Sequence, residues 1–447
     1  MVPMNEFTER PERIRRAGRP GPGLGFSLGL ALLWLFAAVI PAAAGERVTL
    51  TLQYPNEPGV VAAWIEEFEA LYPHIDVEWQ VRPGGDWQSV LITQMIANTA
   101  PDVFEFWGAF GQDLARRGLL LDMRPYVERD FTAEEIADFY PVAWESSFTQ
   151  FGARKGTQYQ MPRYINIMVM HYNETHFQEA GLESPLSLDA RGAWTWETFR
   201  EAARKLTRGD GSAVSRWGAV VSTSSLPRML NWVWGAGGDF FDPEDPTRFI
   251  GDEPAAARGI QFLHDLIWQD GSAPAADSGN LFPAGNASIY ETGFAEVPRY
   301  MDTNPFAWNI VQRPAGPAGR PGYLVDDSFG IWSGTSHPEE AWLLVKFLVS
   351  KRGQEILVEK NRIPPVRGSA AQRYFELDPN LNLRAFADAV MDGRPSIISR
   401  IAGDVAQVSN ELIAMLQSVL RRNEQPYELA VQGAKPRIER IIAETYR

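Results

Sequence analysis

The sequence predicts an α/β chain with mainly parallel sheets, organised as two lobes, and three observations carry that expectation. At 447 residues the chain is longer than one ordinary core accommodates, so two compact lobes are the natural division. Near its start, strand and helix patterns alternate through five elements, which is the signature of a parallel sheet flanked by helices. A long apolar run at 161–173 (MPRYINIMVMHYN) then reads as one strand, entered through a proline, that separates two sets of such units.

The elements follow in order. Residues 47–54 (RVTLTLQY) alternate with β-branched side chains, a strand pattern. Over 58–72, Val61, Trp64, Ile65, Phe68 and Leu71 recur at helical spacing with Glu66, Glu67 and Glu69 opposite, and Pro73 ends the helix. A second strand at 75–82, a second helix at 87–97 and a third strand at 103–107 complete the alternation. Ligands of such sheets bind beyond the carboxyl ends of the strands, here 54–57, 82–87 and 106–107. Residues 111–126 read as a helix closing at Gly118.

Past Asn173, helices are expected at 175–180, at 194–206 with Thr195 as cap, at 226–234 before a glycine-rich turn, and at 253–268. Strands are expected at 217–222, 286–290 and 308–312. Residues 323–333 pass through Asp326-Asp327-Ser328 into an apolar run, 338–351 is a strongly amphipathic helix, and Ile363-Pro364-Pro365-Val366 is a break before a mostly helical remainder. Three connections between the lobes are therefore expected, at 161–173, 323–332 and 362–367. They place 46–163 and 329–362 in the first lobe, and 164–328 and 363–447 in the second.

The N-terminus is a separate matter. Five arginines precede the uncharged run 24–40, followed by Pro41 and Ala42-Ala43-Ala44-Gly45. A basic region, an apolar region and small residues are the parts of a secretory signal, so 1–44 is expected to be a signal peptide cleaved after Ala44, the alternative being a retained anchor. A formal net charge of −14 argues against nucleic acid or anionic membrane surfaces as partners. The absence of cysteine excludes disulfides, thiolate metal sites and cysteine nucleophiles. None of the five histidines has metal-ligand spacing, and no GxSxG, strand-linked GxGxxG or P-loop occurs. No cofactor, metal or catalytic residue is expected.

The order of segments resembles the extracellular solute-binding proteins of ABC importers, in the sugar-binding branch similar to maltose-binding protein. The resemblance runs through Ala100-Pro101-Asp102-Val103, the segment GLLLDMRP, Tyr172-Asn173 after the apolar run, and WETFREAARKL at 196–206. It continues with GAGGDFFD at 235–242, FPAGNASIYETG at 282–293 and SHPEEAWLLVKFLVS at 336–350. It implies a two-lobed periplasmic-binding-protein fold (type II), closure by hinge bending, a sugar ligand, delivery to ABC permease subunits, a monomer and a periplasmic location. Two departures bear on the ligand: Ser288 stands where members often carry Met, and Phe294 where Trp is frequent. No lipobox cysteine follows the apolar run, which implies a non-lipidated protein.

A sugar offers hydroxyls and patches of aliphatic C–H, so its site needs aromatic faces and hydrogen-bonding side chains. Trp87 and Trp107 lie at strand ends, Trp232 and Trp234 precede the glycine-rich turn, and Tyr164 and Tyr290 flank crossings or strand ends. Among polar residues, Asn56, Glu57, Asp86, Asn166, Glu291, Asp327 and Arg367 lie in or beside segments placed at the cleft, with Arg163 as a hinge ion-pair candidate. Each aromatic competes with a core role and each polar residue with a cap or a solvated loop. The remaining alternatives are a non-sugar solute (glycerol phosphate, polyamine or peptide) and a secreted glycan-cleaving enzyme, which would need two carboxylates facing one bond.

Overall fold

The computed structural model describes residues 47–149, 154–209, 213–276, 278–325, 327–395, 401 and 404–445. The expected signal peptide and Asp326 lie outside the described residues. The first sheet is built from β1 (Val48–Tyr54), β2 (Ile75–Val81) and β3 (Val103–Trp107), with β1 central and parallel to both. Leu50, Leu52 and Tyr54 of β1 are fully buried, as the alternation in the sequence requires. The helix Pro58–Leu71 buries Val60, Val61, Trp64 and Phe68, and the Trp64 indole N–H donates to the Gly353 carbonyl at 2.8 Å.

The run 161–173 is not one strand. It divides into β4 (Met161–Pro162), β5 (Asn166–Ile167) and β6 (Val169–Asn173), and the three pieces belong to three different sheets. β4 extends the first sheet at its edge. β6 is an interior strand of a four-stranded sheet with β7 (Trp217–Val220), β8 (Ala287–Thr292) and β9 (Trp308–Val311), in the order β7-β8-β6-β9. Between them, β5 pairs antiparallel with β10 (Gly322–Val325) in a small sheet. β11 (Asp327–Ile331) then returns to the first sheet, antiparallel to β3 and β4, giving the order β2-β1-β3-β11-β4. A two-residue strand, β12 (Gly393–Arg394), completes the small sheet. An apolar stretch this long is read as continuous from hydropathy alone, because each piece is buried in whichever sheet it enters.

A third segment lies alongside these two. The Ile165 N–H donates to the Pro364 carbonyl at 3.2 Å, Tyr164 bridges Pro365, and the Arg163 N–H donates to the Asp327 carbonyl at 3.0 Å. Gln354, fully buried, ties the bundle together: its amide donates to the Arg163 carbonyl at 2.9 Å and accepts from the Val366 N–H at 2.8 Å. Gln354→Leu leaves those backbone groups buried without partners, and a loss of about 1–3 kcal/mol is expected, read as a lower urea midpoint at constant m-value.

Other sequence expectations shift in detail. The helix expected at 111–126 is two, Gly108–Arg116 and Arg124–Asp130, separated at Gly118 by a left-handed backbone (φ +75°) that glycine adopts without strain. The helix expected at 338–351 ends at Leu348, and a further helix, Lys351–Asn361, follows it with Ser350 as cap. The helix expected at 253–268 is α-helical over Pro254–His264 and then widens to a π-turn over Asp265–Gln269.

The β6–β9 sheet buries His171 completely among Phe282, Tyr300 and Trp308, with neither ring nitrogen hydrogen-bonded among the described residues. Burial lowers its pKa to about 3. The unfolded chain then takes up the proton first as pH falls, so stability present above about pH 6.5 declines toward pH 3, at up to about 1.4 kcal/mol per unit. H171F is expected to remove this part of the acid slope, gaining thermal midpoint over the wild type as pH falls below about 6.

Candidate functional site

The carboxyl ends of β1, β2 and β3 converge with the start of β11 and the residues after β4. This follows from topology: β11 runs antiparallel to β3, so Asp327 lies opposite Trp107, and Ser328 lies opposite both Phe106 and Pro162. The side chains brought together are Tyr54 and Glu57, Arg82, Glu105 and Trp107, Arg163 and Tyr164, and Asp327.

Arg163 is the centre of this group. Its guanidinium is buried between the rings of Tyr54 and Tyr164, at 4.6 and 4.7 Å from their centroids. One nitrogen donates to both Glu57 oxygens, at 2.8 and 3.0 Å, and another stands 3.6 Å from Glu105. Arg82 donates to the other Glu105 oxygen, and Asn361 donates to Glu57 at 2.6 Å. Burial raises the Glu105 pKa against the pull of Arg163 and Arg82. The Tyr164 hydroxyl donates to Asp327 Oδ2, whereas Asp327 Oδ1 has no hydrogen bond among the described residues.

Beside these charges stands an aromatic wall. Trp107 is 47% exposed, Trp87 packs edge-on against it and against Phe110, and the Arg82 guanidinium lies 4.7 Å from the Trp87 ring. On the other side a cavity of about 530 Å³ is lined by Glu57, Arg163, Tyr164, Phe294, Asn361 and Arg362. Phe294 follows β8 and meets Tyr164 edge-to-face at 4.9 Å, so the second sheet supplies one wall and the first sheet the other. Asn166 lies against Gly293, where a Cβ would come within 2.3 Å of Asn166 Oδ1; glycine is needed for that approach. Arg362 closes one edge through an ion pair with Asp302 at 2.7 Å.

Of the residues expected from sequence, Glu57, Trp107, Tyr164 and Asp327 come together here, with Trp87 supporting Trp107 from behind. Asn166 lies against Gly293, the residue before the cavity-lining Phe294, and Asn56 is exposed just before Glu57. Glu291 is buried, accepting from the Trp232 indole N–H at 3.2 Å, and Tyr290 is almost buried against Phe282.

Three expectations are corrected. Trp232 and Trp234 are wholly buried, because the helix Leu226–Gly235 is packed on nearly every face; Trp232 stacks on Phe262, and the Trp234 N–H donates to Asp239 at 2.8 Å. Arg367 is buried over Phe139 at 3.9 Å and donates to Asp138 at 3.2 Å and to the Glu135 and Val349 carbonyls, so it clips helices of the first sheet's layer. Asp86, by contrast, is exposed beside the strand ends, and it also caps the helix Trp87–Ile96 by accepting from the Ser89 N–H at 3.3 Å.

The site also includes Glu105 and Asn361, which sequence reasoning misses. Glu105 carries a signal, a lone carboxylate inside the apolar strand Val103–Trp107; Asn361 carries none, because the helix that presents it lacks a distinct apolar stripe.

Comparison with known proteins agrees with this architecture. An ABC substrate-binding protein of Listeria monocytogenes, solved in complex with cycloalternan, superposes with a TM-score of 0.74 over 89% of this chain and 100% of that one, at 21% identity. UgpB of Mycobacterium tuberculosis, in complex with glycerophosphocholine, superposes with a TM-score of 0.73 over 90% and 99%, at 18% identity. An uncharacterised lipoprotein of Streptomyces antibioticus is 26% identical over 350 residues, 73% of this chain and 72% of its own length. The family model for the bacterial extracellular solute-binding protein matches residues 54–355. The chain belongs to that family of bacterial extracellular solute-binding proteins.

Proposed function

We propose that the chain is the substrate-binding component of an ABC importer, capturing a sugar, an oligosaccharide or glycoside, between its two sheets and delivering it to membrane permease subunits. The observation that carries this reading is the pairing of an exposed indole face, Trp107, with Glu57, Tyr164 and Asp327 at the strand ends. The indole stacks on aliphatic C–H while the polar groups exchange hydrogen bonds with hydroxyls. Glu57, Tyr164, Asp327, Asn166, Trp107 and Phe294 are the proposed contacts, with Asn56, Tyr290 and Glu291 at the margin.

The lobes divide near the three side-by-side segments at 161–167, at 322–325 with 327–328, and at 363–366, and three connections restrict them to bending around the ligand. Glu57 and Glu105 are engaged by arginines, which supports binding over hydrolysis, since a glycosidase needs two carboxyl groups available to one bond. The basic, apolar and small-residue parts of 1–44 support export through a signal peptide to the periplasm.

Glycerophosphocholine in UgpB makes a phosphodiester the second reading. A thermal-shift panel of maltose, maltotriose, cyclic and arabino-oligosaccharides, glycerophosphocholine and spermidine separates them. A true ligand at a hundredfold its Kd adds about 2.7 kcal/mol, a shift of a few degrees. An oligosaccharide shift with none from glycerophosphocholine or spermidine is expected; the reverse pattern refutes the sugar reading.

A further inference from the structure

Arg82 is the first residue after β2, and its backbone N–H donates to the Tyr54 carbonyl at 2.9 Å, which fixes the chain at the strand ends. Its guanidinium is held on two sides. One terminal nitrogen donates to Glu105, the buried carboxylate of β3, and the central carbon lies 4.7 Å from the Trp87 ring centre and 5.7 Å from that of Trp107. The Nε–H and the second amino group have no partner among the described residues and are reached by solvent. Arg163 differs: its side chain is 4% exposed and its Nε–H is buried without a partner, whereas the Arg82 side chain is 17% exposed. Trp107 beside it is half exposed, so an open indole and open N–H donors stand together at the carboxyl ends of β2 and β3.

We propose that Arg82 is a specificity-determining donor, binding two neighbouring hydroxyls at the edge of a sugar ring stacked on Trp107. The inference rests on the sugar reading and extends it to the ligand's substitution pattern. A guanidinium is a planar fork of N–H donors with no acceptor, so it selects oxygens and offers nothing to an ammonium group. Glu105 and the two indoles hold the fork before a ligand arrives, so little side-chain freedom is lost on binding. Glu105, almost fully buried, is the positioning residue. The charges are already matched, Arg82 on Glu105 and Arg163 on Glu57, so a phosphate or carboxylate meets guanidiniums that carboxylates already face. Hydroxyls are the oxygens such a pair suits. A site built to bond hydroxyls rejects an analogue lacking them, because its donors lose their water without gaining a partner. The ligand class is a neutral oligosaccharide whose ring on Trp107 carries two adjacent free hydroxyls, and amino sugars are excluded.

Isothermal titration calorimetry of wild type, R82K and R82M/E105Q with maltotriose and arabinotriose tests this. Lysine keeps a cation for Glu105 and the Trp87 ring but loses the planar fork. The double variant removes the fork and its counter-charge together, so the remaining charges stay matched. For the trisaccharide that wild type binds more tightly, both variants are expected to weaken binding by about tenfold. A trisaccharide of glucosamine, which carries ammonium groups, is expected not to bind wild type. R82K is expected to keep the thermal midpoint of the unliganded protein, and it decides the matter alone if the double variant does not fold. A loss under fivefold in R82K overturns the inference and leaves Arg82 as a brace for Trp87 and Trp107, with the sugar reading intact. Glucosamine trisaccharide bound as tightly as the neutral one overturns it as well. Glycerophosphocholine bound by wild type and weakened in R82K overturns the hydroxyl assignment in favour of a phosphodiester. Binding of neither neutral trisaccharide removes the sugar reading and this inference with it.

Discussion

Arg163→Met is expected to lower stability by about 3–5 kcal/mol. The guanidinium is 3% exposed and holds Glu57 directly, faces Glu105, and lies between Tyr54 and Tyr164. Methionine keeps the apolar stem and removes the charge, leaving Glu57 with Asn361 and Tyr54 and leaving Glu105 with Arg82 alone. Removing one partner of a buried pair costs more than the pair contributes, because the remaining charge stays desolvated. Two consequences distinguish this from lost packing. The deficit should shrink as pH falls and the carboxylates become protonated, and E105Q/R163M should recover part of it. Urea titrations of the three proteins at two pH values measure both.

The second large effect falls on binding. Trp107→Ala is expected to weaken oligosaccharide binding by about tenfold to a hundredfold, about 1.4–2.8 kcal/mol, with a small change in thermal midpoint. The asymmetry follows from position: about half of the indole faces solvent, while its inner side rests on Trp87, itself braced by Phe110 and Arg82. Removing the ring takes away a rigid stacking surface but opens no cavity in the core. Trp232→Ala should behave in the opposite way, with a large loss of stability, because that indole is fully buried and bonded to Glu291.

The first sheet is legible in the sequence because β1 to β3 carry strong alternation and their helices carry clear stripes. That periodicity alone places the strand ends, and with them Glu57 and Trp107. The apolar runs at 161–173 and 323–332 are legible as buried strand. Their division among three sheets is not, since hydropathy reports burial without saying against which layer. Trp232 and Trp234 mislead for a related reason. Proximity to a glycine-rich turn suggests a cleft, but the helix Leu226–Gly235 is enclosed on nearly every side. Arg367 misleads because a charged residue after a prolyl break looks solvent-facing, whereas aromatic rings and carbonyls receive it inside. The pairing of Arg82 with Glu105 is a long-range consequence of strand order, and no local pattern encodes it.

The most direct test of capture between the sheets is small-angle X-ray scattering of the chain with and without the oligosaccharide giving the largest thermal shift. The account predicts a smaller radius of gyration at saturation in the wild type, and in W107A the same decrease at a higher sugar concentration. An unchanged profile at saturating sugar, or no oligosaccharide that binds at all, would contradict it.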